Sequence, residues 1–518
     1  MVMAFILDTP KTGATAPRAG TRAWIALAVL MLPVLLISVD NTVLSFAVPS
    51  ISLALVPSAT ELLWIIDVYP LVLAALLVPM GSLADRFGRR RLLLLGSIGF
   101  AAVSVLAAFA PSAPALIGYR ALLGVFGAML MPSTLSLIRN LFVHHDQRRT
   151  AIAVWAACFS GGAALGPIVG GLLLEHFWWG AVFLLSVPVL VPLLVLAPIF
   201  VPASRDPSPG QIDPVSILLS FGAMVPTILG IKEMAQGGPG LANGALIVAG
   251  VVLGVVFVRR QLGRAEPMLD VRLFRNPVFS GGVLANLLSI FSLVGFLYFV
   301  TQHLQLVVGL SPTAAAFVLV PGLVVSIVTG LLAASVAKFF RPSRLVSFGL
   351  LLNAVGFGLV WLNPGGSVAG TVAAFAVLGA GVGIAETISN DLILSAAPPA
   401  KAGAASAISE TAYEVGSVLG TAVLGSILAA AYRINVVVPE SLPAADRHTA
   451  AQTLGGAIDV AGTLPAAQGS ALLASARHAF DSGSGLVALV GVALMAGTAA
   501  MCLRTLRSAG SGSGPAGH

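Results

Sequence analysis

Charge is what this 518-residue chain has least of: only 9% of its residues are Asp, Glu, Lys or Arg, against about 25% in an ordinary soluble domain. Such a surface cannot be wetted on every side, which excludes a soluble enzyme, a coiled coil and a disordered scaffold. Cysteine is nearly absent. Cys158 and Cys502 both fall in apolar stretches, so a disulfide framework is excluded and both read as small packing residues. Lysine is confined to Lys11, Lys232, Lys338 and Lys401, none of them after a glycine. The Gly-Lys-Ser/Thr loop that cradles nucleotide phosphates is therefore missing, and any pumping must draw on an ion gradient or the membrane potential. The seven histidines sit in loops or at helix ends, and no catalytic triad or metal cluster emerges. The expectation is a chain with no metal, no bound cofactor and no enzymatic chemistry.

What is abundant is apolar: 58% hydrophobic residues, with 56 glycines and 32 prolines, as membrane helices that bend and pack closely require. Fourteen apolar stretches approach the ~20 residues needed to cross a bilayer, at 22–50, 61–81, 92–110, 114–139, 150–174, 179–201, 212–232, 241–258, 278–300, 313–337, 345–362, 368–396, 403–431 and 484–503. Of the 27 Lys and Arg residues, 22 fall in alternate loops or at the two ends of the chain, including Arg86, Arg89, Arg90 and Arg91. Lys232, Arg433, Arg447 and Arg477 fall on the opposite side, and Arg120 alone lies inside a span. The asymmetry predicts both termini in the cytoplasm of a plasma-membrane protein.

The spacing predicts an all-α integral membrane protein of two six-helix bundles plus two inserted helices. Residues 1–21 read as a disordered cytoplasmic arm, 22–201 as the first bundle, and 202–277 as a linker carrying the inserted pair. Residues 278–507 read as the second bundle and 508–518 as a disordered tail. Within the external loop 432–483, residues 466–480 read as a short amphipathic helix on the outer surface.

Six acids fall inside the predicted spans: Asp40, Asp67, Glu386, Asp391, Glu410 and Glu414. Each charge in a membrane costs about 2.5–3.5 kcal/mol on insertion scales, so they demand partners, protons or a watered cavity. Glu410 and Glu414 are one helical turn apart and share a face, with Tyr413 beside them. At 1.5 Å per residue, Glu414 lies near the midplane, and Asp40 and Arg120 reach compatible depths for an ion pair. Asp391, near a helix end, reads as solvated. Trp64, Tyr69, Phe291, Tyr298 and Tyr413 offer faces for cation–π contacts worth about 0.5–2 kcal/mol each. Such a cavity favours small lipophilic cations.

Three motifs carry a family resemblance. Gly81-Ser-Leu-Ala-Asp85-Arg86-Phe-Gly88-Arg89-Arg90 resembles the signature between helices two and three of the major facilitator superfamily, and the Arg120 segment resembles its intramembrane-arginine motif on helix four. Gly162, Gly166, Pro167 and Gly170 on helix five resemble its antiporter motif; their i, i+4, i+8 spacing also permits close helix contact, with Pro167 favouring a bend. With fourteen spans, the chain resembles the superfamily's fourteen-helix drug:proton antiporter branch over about residues 24–507. The resemblance implies multidrug efflux of lipophilic mono- and dicationic compounds in exchange for protons, by a monomer among membrane lipids, with no nucleic-acid partner. It supports Asp40, Asp67, Glu410 and Glu414 by position. Asp40, Arg120, Glu410 and Glu414 would couple protons; Asp67, Glu386, Glu410, Glu414 and the five aromatics would face substrate; Asp85 and Arg86 would latch conformations. A proton-coupled transporter of a lipid or other amphiphile is the alternative.

Overall fold

A computed structural model of the chain describes residues 18–205, 213–237, 240–265, 267–337, 339–363, 366–398 and 401–506. The expected disordered arm lies almost wholly outside these residues, and the tail 508–518 entirely so. Among the described residues, fourteen helices are long and apolar enough to cross a membrane.

The first six are α1 (Thr21–Leu55), α2 (Ala59–Phe87), α3 (Arg89–Ala108), α4 (Ala113–Leu141), α5 (His145–His176) and α6 (Ala181–Phe200). The inserted pair is α7 (Pro214–Gly237) and α8 (Leu241–Gly263). Then come α9 (Pro277–Val307), α10 (Pro312–Val336), α11 (Pro342–Trp361), α12 (Val368–Ala396) and α13 (Ala404–Asn435). Two short helices, α14 (Ala444–Gln452) and α15 (Leu454–Thr463), precede the last span, α16 (Ala466–Thr505). The chain therefore has two six-helix bundles with a helix pair between them.

Local chemistry sets the ends. Ser58 and Glu61 form a reciprocal capping box at the start of α2, and Ser311 and Ser367 cap α10 and α12. Between α2 and α3 the chain turns at Gly88 with φ +107°, a conformation a side chain would resist. The α2–α3 turn is tied down where Arg89 donates its backbone N–H to the Ser204 carbonyl at 3.0 Å and Arg90 donates to the Val201 carbonyl at 2.9 Å.

The inserted pair packs chiefly on itself, with α7 also touching α2 and α13. A clasp joins its two ends: Asp213 Oδ1 accepts from Arg260 at 3.0 Å, and Oδ2 lies 3.1 Å from Arg264. Burial works against the Asp213 carboxylate, but hydrogen bonds from Arg260 and Ser216 outweigh it and hold its pKa down at about 2.

The last span corrects one expectation. Residues 466–480 are not a separate surface helix but the first turns of α16, which runs 40 residues without a break, roughly 60 Å and twice the hydrocarbon thickness. Leu472, Ala476, Ala479 and Phe480 are buried, and the Tyr432 hydroxyl ties α13 to α14 by donating to the Ala450 carbonyl at 2.9 Å.

The two bundles meet at the end opposite the described chain ends, here called the far side. There Ser311 donates to Glu175 at 3.3 Å, Gln305 donates to the Phe46 carbonyl at 3.3 Å, and Gly171 abuts Pro312 and Ala316.

Candidate functional site

The glycine stripe on α5 is built for contact with α1. A Cβ on Gly162 would come within 2.8 Å of Ser38 Cβ, one on Gly166 within 3.1 Å of the Val39 carbonyl, and one on Gly170 within 2.7 Å of Val43. Ser38 also donates its hydroxyl to the Phe159 carbonyl across that seam. α1 is thus pinned on both sides of Asp40.

Asp40 faces α4. Arg120 Nη1 donates to Asp40 Oδ2 at 3.2 Å and its Nε to the Ile65 carbonyl at 3.0 Å, while its guanidinium lies 4.8 Å from the centre of the Tyr69 ring. Arg120 is 2% exposed, so the pair is shielded from screening. Tyr69 is fully buried beneath the guanidinium, with its hydroxyl lacking a hydrogen-bond partner among the described residues.

Asp67 holds a second pair that corrects the sequence reading. Lys232 belongs not to a loop but to the buried face of α7, with its Nζ 2.8 Å from Asp67 Oδ2 and both side chains at 0% exposure. Arg120 is therefore not the sole base within the spans. The same ammonium lies 4.0 Å from the centre of the Trp64 ring. Thr421, in a π-helical turn of α13 (Gly420–Gly425), stands beside the Asp67 carboxyl; such turns recur at functional sites. A signal for Lys232 was present: Met224, Ile228 and Lys232 recur every four residues, and Ile228 and Lys232 are buried while most of α7 is not.

The third group lies on α12 and α13. Glu414 is 5% exposed, Glu386 and Glu410 are half-buried, and Asp391 is exposed at its helix end. Glu386 and Glu414 are close enough for their charges to act on the Tyr413 hydroxyl, and Glu410 acts on Glu414. The first bundle supplies the facing wall. Asn41 faces the Glu414 carboxyl, Phe159 meets Tyr413 edge-on at 5.8 Å, and Trp155 stacks on Phe159 at 6.1 Å. Asn286 of α9 holds α13 in register by donating to the Ser409 carbonyl at 3.2 Å and its hydroxyl at 3.1 Å. Asn41 and Asn286 join the residues singled out from sequence; neutral amides carry no pattern in a chain this apolar.

Phe291 and Tyr298 are buried where α9 crosses α13. Phe291 backs on Gly420, and Tyr298 lies against Gly425 and within electrostatic reach of Asp67. Asp85 pairs with Arg89 at 2.7 Å, whereas Arg86 is exposed. The three acidic groups lie near one another: Arg120 is within electrostatic reach of both Asp40 and Asp67, and Tyr69 within reach of both Asp40 and Glu414.

Comparison with known proteins agrees with this architecture. The Major Facilitator Superfamily profile matches residues 30–421. The chain is 58% identical over 497 residues to the multidrug efflux pump LfrA of Mycolicibacterium smegmatis, covering 96% of this chain and 98% of that protein. It is 38% identical to the methyl viologen resistance protein SmvA of Salmonella typhimurium, covering 89% and 93%. The tetracenomycin C resistance and export protein of Streptomyces glaucescens is 34% identical, with 97% and 95% covered. Among solved structures, an inward-facing, unoccupied bacterial homologue of the human lysosomal transporter Spinster superposes with a TM-score of 0.67 at 18% identity, covering 94% and 98%; that likeness speaks to the fold.

Proposed function

We propose that this chain, which belongs to the major facilitator superfamily, exports lipophilic cations in exchange for protons. It is a transporter of that superfamily and not an enzyme. The reading places it in the plasma membrane as a monomer, both termini in the cytoplasm, so that the far side is external. Its named relatives, an efflux pump and two resistance proteins, support export as the direction.

The observation that carries the proposal is the gathering of Glu386, Glu410 and Glu414 around Tyr413, at the seam where Phe159 of the other bundle closes the wall. Carboxylates and ring faces together recognise an organic cation. A carboxylate that binds a proton loses the charge that held the cation, so the two ligands exclude each other. A cation arriving from the cytoplasm displaces protons; protons arriving from outside displace the cation. Asp40 with Arg120 acts as the coupling pair: protonation of Asp40 releases Arg120, whose charge reaches Asp67. The membrane potential adds about 2.3 kcal/mol per 100 mV for each net charge moved.

Ethidium flux in proteoliposomes under an imposed pH gradient tests this. Uptake should follow the gradient, reverse when the gradient is reversed, and collapse in Glu414→Gln. Flux indifferent to the gradient would refute proton coupling, and no flux in intact, oriented vesicles would refute cation export.

A further inference from the structure

The Asp67 pocket already contains a cation, and the way it is held identifies what else would fit. Lys232 reaches it from α7, in the inserted pair, so the ammonium comes from outside both six-helix bundles. Its Nζ has the carboxylate at 2.8 Å on one side and the Trp64 ring at 4.0 Å on the other. Among the described residues, Asp67 is the one acid that pairs with Lys232, and Thr421 stands beside that carboxyl. The carboxylate, at hydrogen-bonding distance, and the ring face hold the ammonium between them. A quaternary or ring-borne cation, with no N–H at its charge, can make the same two contacts. Leu71, Ile228, Val418 and Ala422 seal the pocket with apolar contact between α2, α7 and α13, which also suits a lipophilic ligand.

We propose that Lys232 is a tethered stand-in for substrate, occupying a carboxylate–indole pocket from which an exported cation must displace it. The proposal rests on the cation-export reading and deepens it. Lys232 then sets the charge class of substrate. With the lysine in place Asp67 is neutralised and the pocket resists cations; with the lysine displaced, the pocket accepts one. α7 becomes a working part of the transporter through this one side chain. Because the pocket lies toward the far side, where the bundles meet, displacement of Lys232 also loosens the contact between α7, α2 and α13.

The test is ethidium binding to purified protein in detergent micelles, by fluorescence, with the uncharged dye Nile red as control. If the pocket is free about a tenth of the time, Lys232→Met binds ethidium about tenfold more tightly than wild type, with Nile red binding unchanged. Unchanged or weaker ethidium binding overturns the proposal, as does equal tightening for Nile red, which would report mere loosening. Wild-type protein that binds no ethidium would count against the export reading instead. Should Lys232→Met not fold with Asp67 left unpaired, Asp67→Asn and Asp67→Asn/Lys232→Met decide. The lysine repels the dye when its partner is gone, so the double variant binds more tightly than the single one. Equal affinities would overturn the proposal.

Discussion

Replacing Asp40 by Asn strands Arg120 in the first bundle. The guanidinium is 2% exposed, and its only carboxylate partner among the described residues is Asp40 at 3.2 Å. At that separation and an effective dielectric of about 20, the attraction is about 5 kcal/mol, set against the cost of taking both charges out of water. Removing one member of a buried pair therefore costs about 3–5 kcal/mol. Asp40→Asn should fall at the low end, since the amide oxygen still accepts from Arg120 Nη1 and the Ile65 carbonyl still accepts from Nε. Asp40→Ala should fall at the high end. Arg120→Gln should cost a similar amount, but Asp40→Asn/Arg120→Gln should cost clearly less than the sum, because the double variant leaves no bare charge. The assay is SDS-induced loss of helical circular dichroism in mixed micelles, run on wild type and both singles with the double. A coupling energy within about 0.5 kcal/mol of zero would refute the view that the pair is a shielded, mutually dependent unit.

Gly166→Val should wedge α1 from α5 at a cost of about 1–3 kcal/mol and cut flux severely, whereas Gly161→Ala, with open space at its Cβ, should be neutral; equal effects in thermal unfolding and flux assays would contradict the packing account. Asp213→Asn should loosen the α7–α8 clasp by about 1–2 kcal/mol, allowing for the half-open arginines. Because the folded carboxyl titrates at about 2, below its unfolded value, the stabilisation is full above about pH 4. The gap between wild type and Asp213→Asn should therefore hold from pH 7 to 5 and close as pH falls toward 2; a gap that closes near neutrality would rule the clasp out. Asp85→Asn breaks the 2.7 Å contact with Arg89 at the α2–α3 turn, away from the acids around Tyr413. Transport should slow while ethidium affinity stays near wild type, and an equal loss of binding would remove Asp85 from a conformational role.

The spans were legible because about 20 apolar residues between charged loops leave little ambiguity, and all fourteen predicted stretches overlap a candidate span. Asp40 and Arg120 were legible as a pair because depth can be counted along two helices. The α5 glycines were legible because an i, i+4, i+8 stripe defines a face, and α1 covers it. The four-residue recurrence that leads to Lys232 was masked, since Lys-Glu followed within a few residues by Gly-Gly-Pro reads as the end of a span and its partner lies 165 positions away. α16 was misjudged for the opposite reason. Asp481, Ser482, Gly483 and Ser484 look like a boundary, yet Gly483 packs on Leu428 and Ala431, so the helix passes through. Tertiary contact decided both cases.

If cation and proton compete for the acids around Tyr413, proton release on binding measures that competition directly. Ethidium added to weakly buffered, detergent-solubilised protein near neutral pH should liberate protons in proportion to site occupancy, with the yield falling as pH rises and the acids begin deprotonated. Glu414→Gln should reduce the yield per ethidium bound. Binding with no proton release at any pH between 5 and 9 would contradict competition and leave the acids as structural charges.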